Sequence, residues 1–327
     1  MDALPDFRVV NPRTLDDVIA ARAANPNSMP LGGGTDLVVN IRRGIVAPKV
    51  LIDMNRVQEL HAIRSDEKGL ELGASVRLSE IAEHPGIGRS YPVLAQAAAH
   101  IAGPTHRNMG TVGGNLCLDT RCIFYNQSEW WRRSNGFCLK RHGDVCHVAP
   151  QGQRCHAAFT GDLAPALLAL GADAEIGGMR ERRRIPLSDL YVEDGLAHLA
   201  LRDDELLVAV HVPAAVPSTY SKVRVRGAID YPLAGVAVAL VAAAGVVQSL
   251  RIAVTGTNSQ PFVLAGTDIV VGRPIDDRAL QEIDRLVQKQ VQPMRTTVAS
   301  GHYRRLAAAA LARRLAAALF AEQQGRT

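Results

Sequence analysis

The pattern of apolar and polar positions divides the chain into three stretches. From residue 1 to about 57, TLDDVIAARAA (14–24) predicts a helix. MPLGGGTDLVV (29–39) then predicts a short strand, a glycine loop and the start of a second helix, and KVLIDMN (49–55) another strand. From about 58 to 213, LELGASVRL (70–78) and LVAVHVP (207–213) predict strands, whereas LSEIAEHP (78–85), VLAQAAAH (93–100) and APALLALGA (164–172) predict helices. From about 214 to 327, YSKVRVR and SLRIAVTG predict strands, and LAGVAVALVAAAG (233–245) suits a strand or a helix. DRALQEIDRLVQKQV and SGHYRRLAAAALARRLAAALF predict two helices. The first and third stretches read as α/β units. Residues 121–158 break the pattern: they are polar, carry glycines and both tryptophans, and show no sustained period. With their flank from about 118, they predict an inserted loop held together by something other than an apolar core.

Composition narrows the class. The chain has 327 residues, 47% hydrophobic and 21% charged, enough for about two domains with real cores. No segment approaches the ~20 apolar residues of a membrane-crossing helix. MDALPDFRVVNP lacks the basic flank and apolar run of a secretory leader, so the expectation is a cytoplasmic protein with reduced thiols. The net charge of +5 is dispersed or in short groups such as Arg180–Arg184, which read as solvated faces and not as a nucleic-acid surface.

Two glycine loops carry candidate chemistry. Leu31, Gly32, Gly33, Gly34, Thr35 and Asp36 follow a strand and open a helix, so backbone N–H groups can converge there on an anion. Thr111, Val112, Gly113, Gly114 and Asn115 form a second such turn, with a hydroxyl and an amide to spare. Neither has the GxGxxG spacing of a dinucleotide fold or the Lys-Ser/Thr ending of a P-loop. Singly, each suits a tight turn; as a pair they suggest a pyrophosphate gripped from two sides.

All five cysteines fall between positions 117 and 155. Fifteen, seven and eight residues separate Cys122, Cys138, Cys146 and Cys155, too wide for a CxxC zinc knuckle and unlike ferredoxin spacing. Iron–sulfur, structural zinc and unliganded thiols all remain open on spacing alone. Cys117, two residues past Asn115, reads as a core residue. His142, His147 and His156 read as loop histidines or as hydrogen-bond donors to sulfur.

The succession LGGGTDL, TVGGNL, GDLAPALLALGA, ELLVAVHVP and YSKVRVRGAIDYPLAGVAVAL resembles, over essentially the whole chain, the FAD-binding subunits of the molybdenum hydroxylase family. That family includes xanthine and carbon monoxide dehydrogenases. The resemblance implies an α+β fold: a two-part FAD-binding domain of the vanillyl-alcohol-oxidase-like type, a cysteine-rich inserted loop and a C-terminal α/β domain. It implies that the two glycine loops hold the pyrophosphate and ribityl chain, that Ile101 lies near the ring system, that Asp162 faces the polar end of the flavin, and that Leu207 and Lys222 are further contacts. Relatives connect the GGN turn to the D-L-x-P segment in about ten residues, whereas Asn115 and Asp162 here are 47 apart. A cysteine-bearing insertion at this point marks the 4-hydroxybenzoyl-CoA reductase branch. There it binds a [4Fe-4S] cluster, which would make Cys122, Cys138, Cys146 and Cys155 the ligands. The same resemblance implies electron transfer from ferredoxin via [4Fe-4S] and FAD to partner chains: a small [2Fe-2S] subunit and a large molybdenum-cofactor subunit, assembled as a dimer of heterotrimers. It places the substrate site on another chain and no catalytic residue on this one. The alternative is an FAD subunit delivering electrons to NAD or oxygen, its loop stiffened by a structural metal. Neither glycine loop contains His or Cys, so FAD is expected to be held without a covalent link.

Overall fold

The computed structural model describes residues 4–325. Strands Arg8–Val10, Val50–Asp53 and Met29–Leu31 form a three-stranded parallel sheet with Val50–Asp53 in the centre. The crossover helix Leu15–Ala24 starts where the sequence provides a capping box: Thr14 Oγ1 accepts from Asp17 N, and the Asp17 carboxylate accepts from Thr14 N. It buries Leu15, Val18 and Ile19 against Val50 and Ile52.

The second unit is a five-stranded antiparallel sheet in the order Ile63–Asp66, Gly69–Gly73, Leu206–Pro213, Asp173–Gly177, Arg182–Pro186. Leu206–Pro213 is covered on both faces. Leu207, Val210 and Val212 enter the core of this unit, while Leu206, Val208 and Ala209 complete the core of the first. That double burial is why its sequence is apolar from Leu206 to Val210, with His211 the first break in the run. LELGASVRL differs from expectation: its strand ends at Gly73, where the chain turns under Leu60, whose carbonyl oxygen would lie 2.3 Å from any Cβ at Gly73. Every residue of the helix Leu163–Leu170 is buried, with the five-stranded sheet and the third unit packed around it.

The third unit is an antiparallel sheet in the order Phe262–Val263, Val246–Thr255, Ala234–Ala243, Ser218–Val223, with the helices Asp277–Gln290 and Gly301–Gln324 packed on it. Its helices follow the strands and do not alternate with them, which corrects the α/β expectation for this unit to α+β. LAGVAVALVAAAG is the strand Ala234–Ala243, turned into the next by Ala244 and Gly245, both at positive φ. Val236, Val238 and Leu240 face the helices, while Ala237 and Ala239 face the core around Leu163–Leu170, so both faces are apolar and the alternation is hidden.

The inserted stretch is closed at its root. Arg121 and Ala158 exchange backbone hydrogen bonds of 2.7 and 2.8 Å, and Gly161 sits against the Asn115 carbonyl, so closely that a Cβ would approach it to 2.6 Å. Inside lies one short helix, Glu129–Ser134. Against expectation, a small apolar cluster helps hold the insert, formed by its Tyr125, Ala157 and three cysteines together with Ile45 of the first unit. It is also bonded to all three units. The buried Arg132 donates to the carbonyls of Arg43 and Gly44, Cys155 N donates to Asp194, and Ile123 N to the Thr296 carbonyl. Among the described residues, no helix is long and apolar enough to cross a membrane.

Candidate functional site

A cleft of about 800 Å³ opens where the units and the insert meet, within the size range of cofactor sites. The two glycine loops form one wall and touch each other. A Cβ on Gly32 would lie 2.8 Å from Thr111 Oγ1, and one on Gly33 would lie 1.8 Å from the Met109 carbonyl oxygen; Gly34 has φ +71. Thr111 Oγ1 accepts from Gly114 N at 3.1 Å, which starts the short helix Val112–Leu116. Two sequence signals 75 residues apart thus become one surface.

Of the residues expected to hold the flavin, Gly32, Gly33, Gly34, Thr35, Asp36, Ile101, Thr111, Gly113, Gly114, Asn115, Asp162 and Leu207 line this cleft. Three do not line it themselves. Leu31 ends the strand beneath the first loop, and Val112 is wholly buried in the core. Lys222 acts through its neighbours, with Nζ donating to the Asp162 carboxylate at 3.1 Å and to the Asp230 carbonyl at 3.2 Å. Asp162 also accepts from Tyr220 O–H at 2.5 Å, and burial beside that carboxylate pushes the Tyr220 phenol well above its ordinary range. Asn115 Oδ1 accepts from Leu163 N at 3.0 Å, joining the two ends of the insertion. Asp36 pairs with Arg121 and accepts from Asn40 Nδ2 at 3.0 Å, which ties the insert's first residue to the first glycine loop.

The cleft also holds residues that sequence reasoning missed. Arg22 Nε, His106 Nδ1, Thr160 Oγ1 and His198 Nε2 are buried without a protein hydrogen-bond partner, and all four residues line it. Buried polar atoms left without a protein partner beside a cleft are a polar feature of its wall. Burial pushes the His198 imidazole down to about 4, with the Lys140 charge adding to the effect. These residues are scattered in sequence, and no motif marks them. Cys117 packs against the main core, as expected of it, and also lines the cleft; burial pushes its thiol up to about 12.

Cys122, Cys138, Cys146 and Cys155 are all buried and line one small pocket with Phe124, Tyr125, Leu139, Lys140, His147, Val148 and Ala157. Burial pushes Cys122 to about 11 and Cys155 to about 12. The void between them is only about 10 Å³, roughly one water, so an inorganic core would have to spread the thiols. Among the described residues, no three His, Cys, Asp or Glu side chains are arranged to hold a metal ion. Four convergent thiols in an aromatic and aliphatic shell nonetheless form a donor set of the right chemistry for a thiolate-bound centre. Sulfur is not the partner of His147, whose Nε2 bonds the Phe137 carbonyl with its ring 5.4 Å from that of Phe124, and His142 lies edge-on to Phe137.

Residues 5–215 match the family model for the FAD binding domain in molybdopterin dehydrogenase, and residues 218–319 match that for the CO dehydrogenase flavoprotein C-terminal domain. The FAD-binding subunit PaoB of an aldehyde oxidoreductase from Escherichia coli is 32% identical over 74% of this chain and 79% of its own length. The carbon monoxide dehydrogenase medium chain of Hydrogenophaga pseudoflava is 27% identical over 85% and 84%. The solved carbon monoxide dehydrogenase of that organism superposes with a TM-score of 0.80 at 22% identity over 98% and 99%. Quinoline 2-oxidoreductase of Pseudomonas putida superposes with 0.78 at 23% over the same shares.

Proposed function

The chain belongs to the family of FAD-binding subunits of molybdopterin dehydrogenases, and from that membership we propose that it is the flavin and iron–sulfur subunit of a 4-hydroxybenzoyl-CoA reductase. The observation that carries the finer reading is the convergence of Cys122, Cys138, Cys146 and Cys155 on one buried pocket beside the flavin cleft. When bound, FAD exchanges electrons singly or in pairs and a [4Fe-4S] cluster exchanges them singly, and these are the chemistries the subunit contributes.

The protein's part is placement. The paired glycine loops bring backbone close to a pyrophosphate, and Ile101 and Leu207 supply apolar wall for a ring system. Asp162, fixed by Lys222 and Tyr220, presents a carboxylate to the ring's polar end. Thr160 and His198 add polar side chains to the same wall, with His198 neutral near pH 7. The four cysteines would hold the cluster once spread from their present packing, and the Arg121–Asp36 pair keeps the insert registered on the flavin loop. Electrons from a reduced ferredoxin would pass through this chain to [2Fe-2S] clusters on a small partner and on to a large molybdenum subunit, where 4-hydroxybenzoyl-CoA is dehydroxylated to benzoyl-CoA. A cytoplasmic dimer of such heterotrimers completes the reading.

Anaerobic purification followed by flavin, iron and acid-labile sulfide analysis tests this. The expected result is one FAD, with about four irons and four sulfides per chain, and ferredoxin-driven dehydroxylation once the chain is assembled with its partners. Flavin with zinc, or flavin alone, would instead make the chain a hydroxylase subunit feeding NAD or oxygen.

A further inference from the structure

We propose that Lys140 is the electrostatic link between the flavin cleft and the thiol pocket, a positioned charge in the partition between them that raises the reduction potential of a flavin bound in the cleft. The inference rests on reading that cleft as the FAD site. Lys140 and Tyr125 are the two residues common to both linings. The Lys140 side chain is only 5% exposed, and its ammonium is fully engaged. It pairs with Asp119 at 2.5 Å, donates to Thr120 Oγ1 and sits 4.5 Å from the centre of the Tyr125 ring. Burying an ammonium is unfavourable unless such partners are provided, and an aliphatic side chain of similar length would fill the space without them. Its charge reaches the cleft, where it helps hold His198 neutral.

Reduction adds negative charge to a flavin, so a nearby cation favours the reduced form and a nearby carboxylate opposes it. Asp119 also lines the cleft, so the two members of one ion pair act with opposite signs. Lys140→Met should lower the flavin's midpoint potential and Asp119→Asn should raise it. Each should change the reduced-to-oxidised ratio at fixed poise by on the order of tenfold, the scale of one unit charge acting across a protein interior. Lys140→Arg should stay near the unaltered protein. A packing role alone would not produce opposite shifts.

The experiment is an anaerobic, dye-equilibrated titration of the FAD-loaded full chain, following flavin absorbance, preceded by flavin and iron analysis of the unaltered protein. If the unaltered protein carries no flavin, the reading of the cleft falls and the inference with it. If flavin is bound and its potential is the same in Lys140→Met and Asp119→Asn, the inference alone is overturned. Should Lys140→Met lose its flavin, Asp119→Asn decides: a raised potential there, with Lys140→Arg unchanged, supports the link, and an unshifted one overturns it.

Discussion

Replacing Lys222 by Met separates a buried charge from its partner while keeping the apolar stem of the side chain. The Lys222 side chain is wholly buried and that of Asp162 is 5% exposed, so water cannot take over when the ammonium is removed. The carboxylate would keep only the Tyr220 hydroxyl, and the Asp230 carbonyl would lose its donor as well. Breaking a buried pair from one side costs about 3–5 kcal/mol, because the remaining charge stays desolvated. Urea unfolding of the flavin-free protein at pH 7 should show a loss of that size for Lys222→Met. The double variant Asp162→Asn with Lys222→Met should recover about half or more, since removing both charges removes the penalty. FAD affinity should fall in both, as both disturb the cleft wall. A single variant within about 1 kcal/mol of the parent, or a double variant as unstable as the sum of the singles, would refute a buried, mutually dependent pair.

Gly33→Ala must push apart the two glycine loops, because its Cβ would fall 1.8 Å from the Met109 carbonyl oxygen; fluorescence titration should show FAD binding weakened at least tenfold, with secondary structure retained. His198 binds its proton more weakly folded, at about 4, than unfolded, near 6.5, so the unfolded chain takes up more protons between those values and stability falls as pH drops through that window. His198→Leu should lose less stability than the parent between pH 7 and pH 5, by about 1–2 kcal/mol, read from paired urea midpoints; parallel losses would disprove the neutral histidine. Cys146→Ser should lower iron and acid-labile sulfide and keep FAD, whereas Cys117→Ala should keep iron, because Cys117 lies outside the thiol pocket. Acid precipitation should release the flavin into the supernatant, and flavin left in the pellet would point to a covalent link at a cleft residue such as His106.

Several elements were legible from the sequence because their causes are local. The first helix was read from its apolar spacing, and Thr14 and Asp17 close its start with a capping box that needs no tertiary partner. The strand from Leu207 to Pro213 could be read from its dense run of valines, a composition that suits a strand. The glycine loops were visible as turns, since Gly34 needs a backbone conformation that other residues rarely adopt. LAGVAVALVAAAG was not decidable, because valines pack on one face and alanines on the other, and only the covering layers distinguish the two apolar faces.

What the sequence determined by itself is therefore the inventory: the turn residues, the helix starts, the two glycine loops, and five thiols confined to one stretch. The tertiary structure decided which of these meet. It set the two loops against each other, gathered four cysteines separated by fifteen, seven and eight residues into one pocket, left Cys117 on the wall of the other, and put Lys140 in the partition between them. It also buried Arg132 among carbonyls drawn from the insert and the first unit, binding down a loop that the sequence showed only as an insertion. The reason is physical. Backbone conformation follows from near neighbours, whereas burial and charge pairing depend on segments brought together from far along the chain, and sequence spacing carries little record of them.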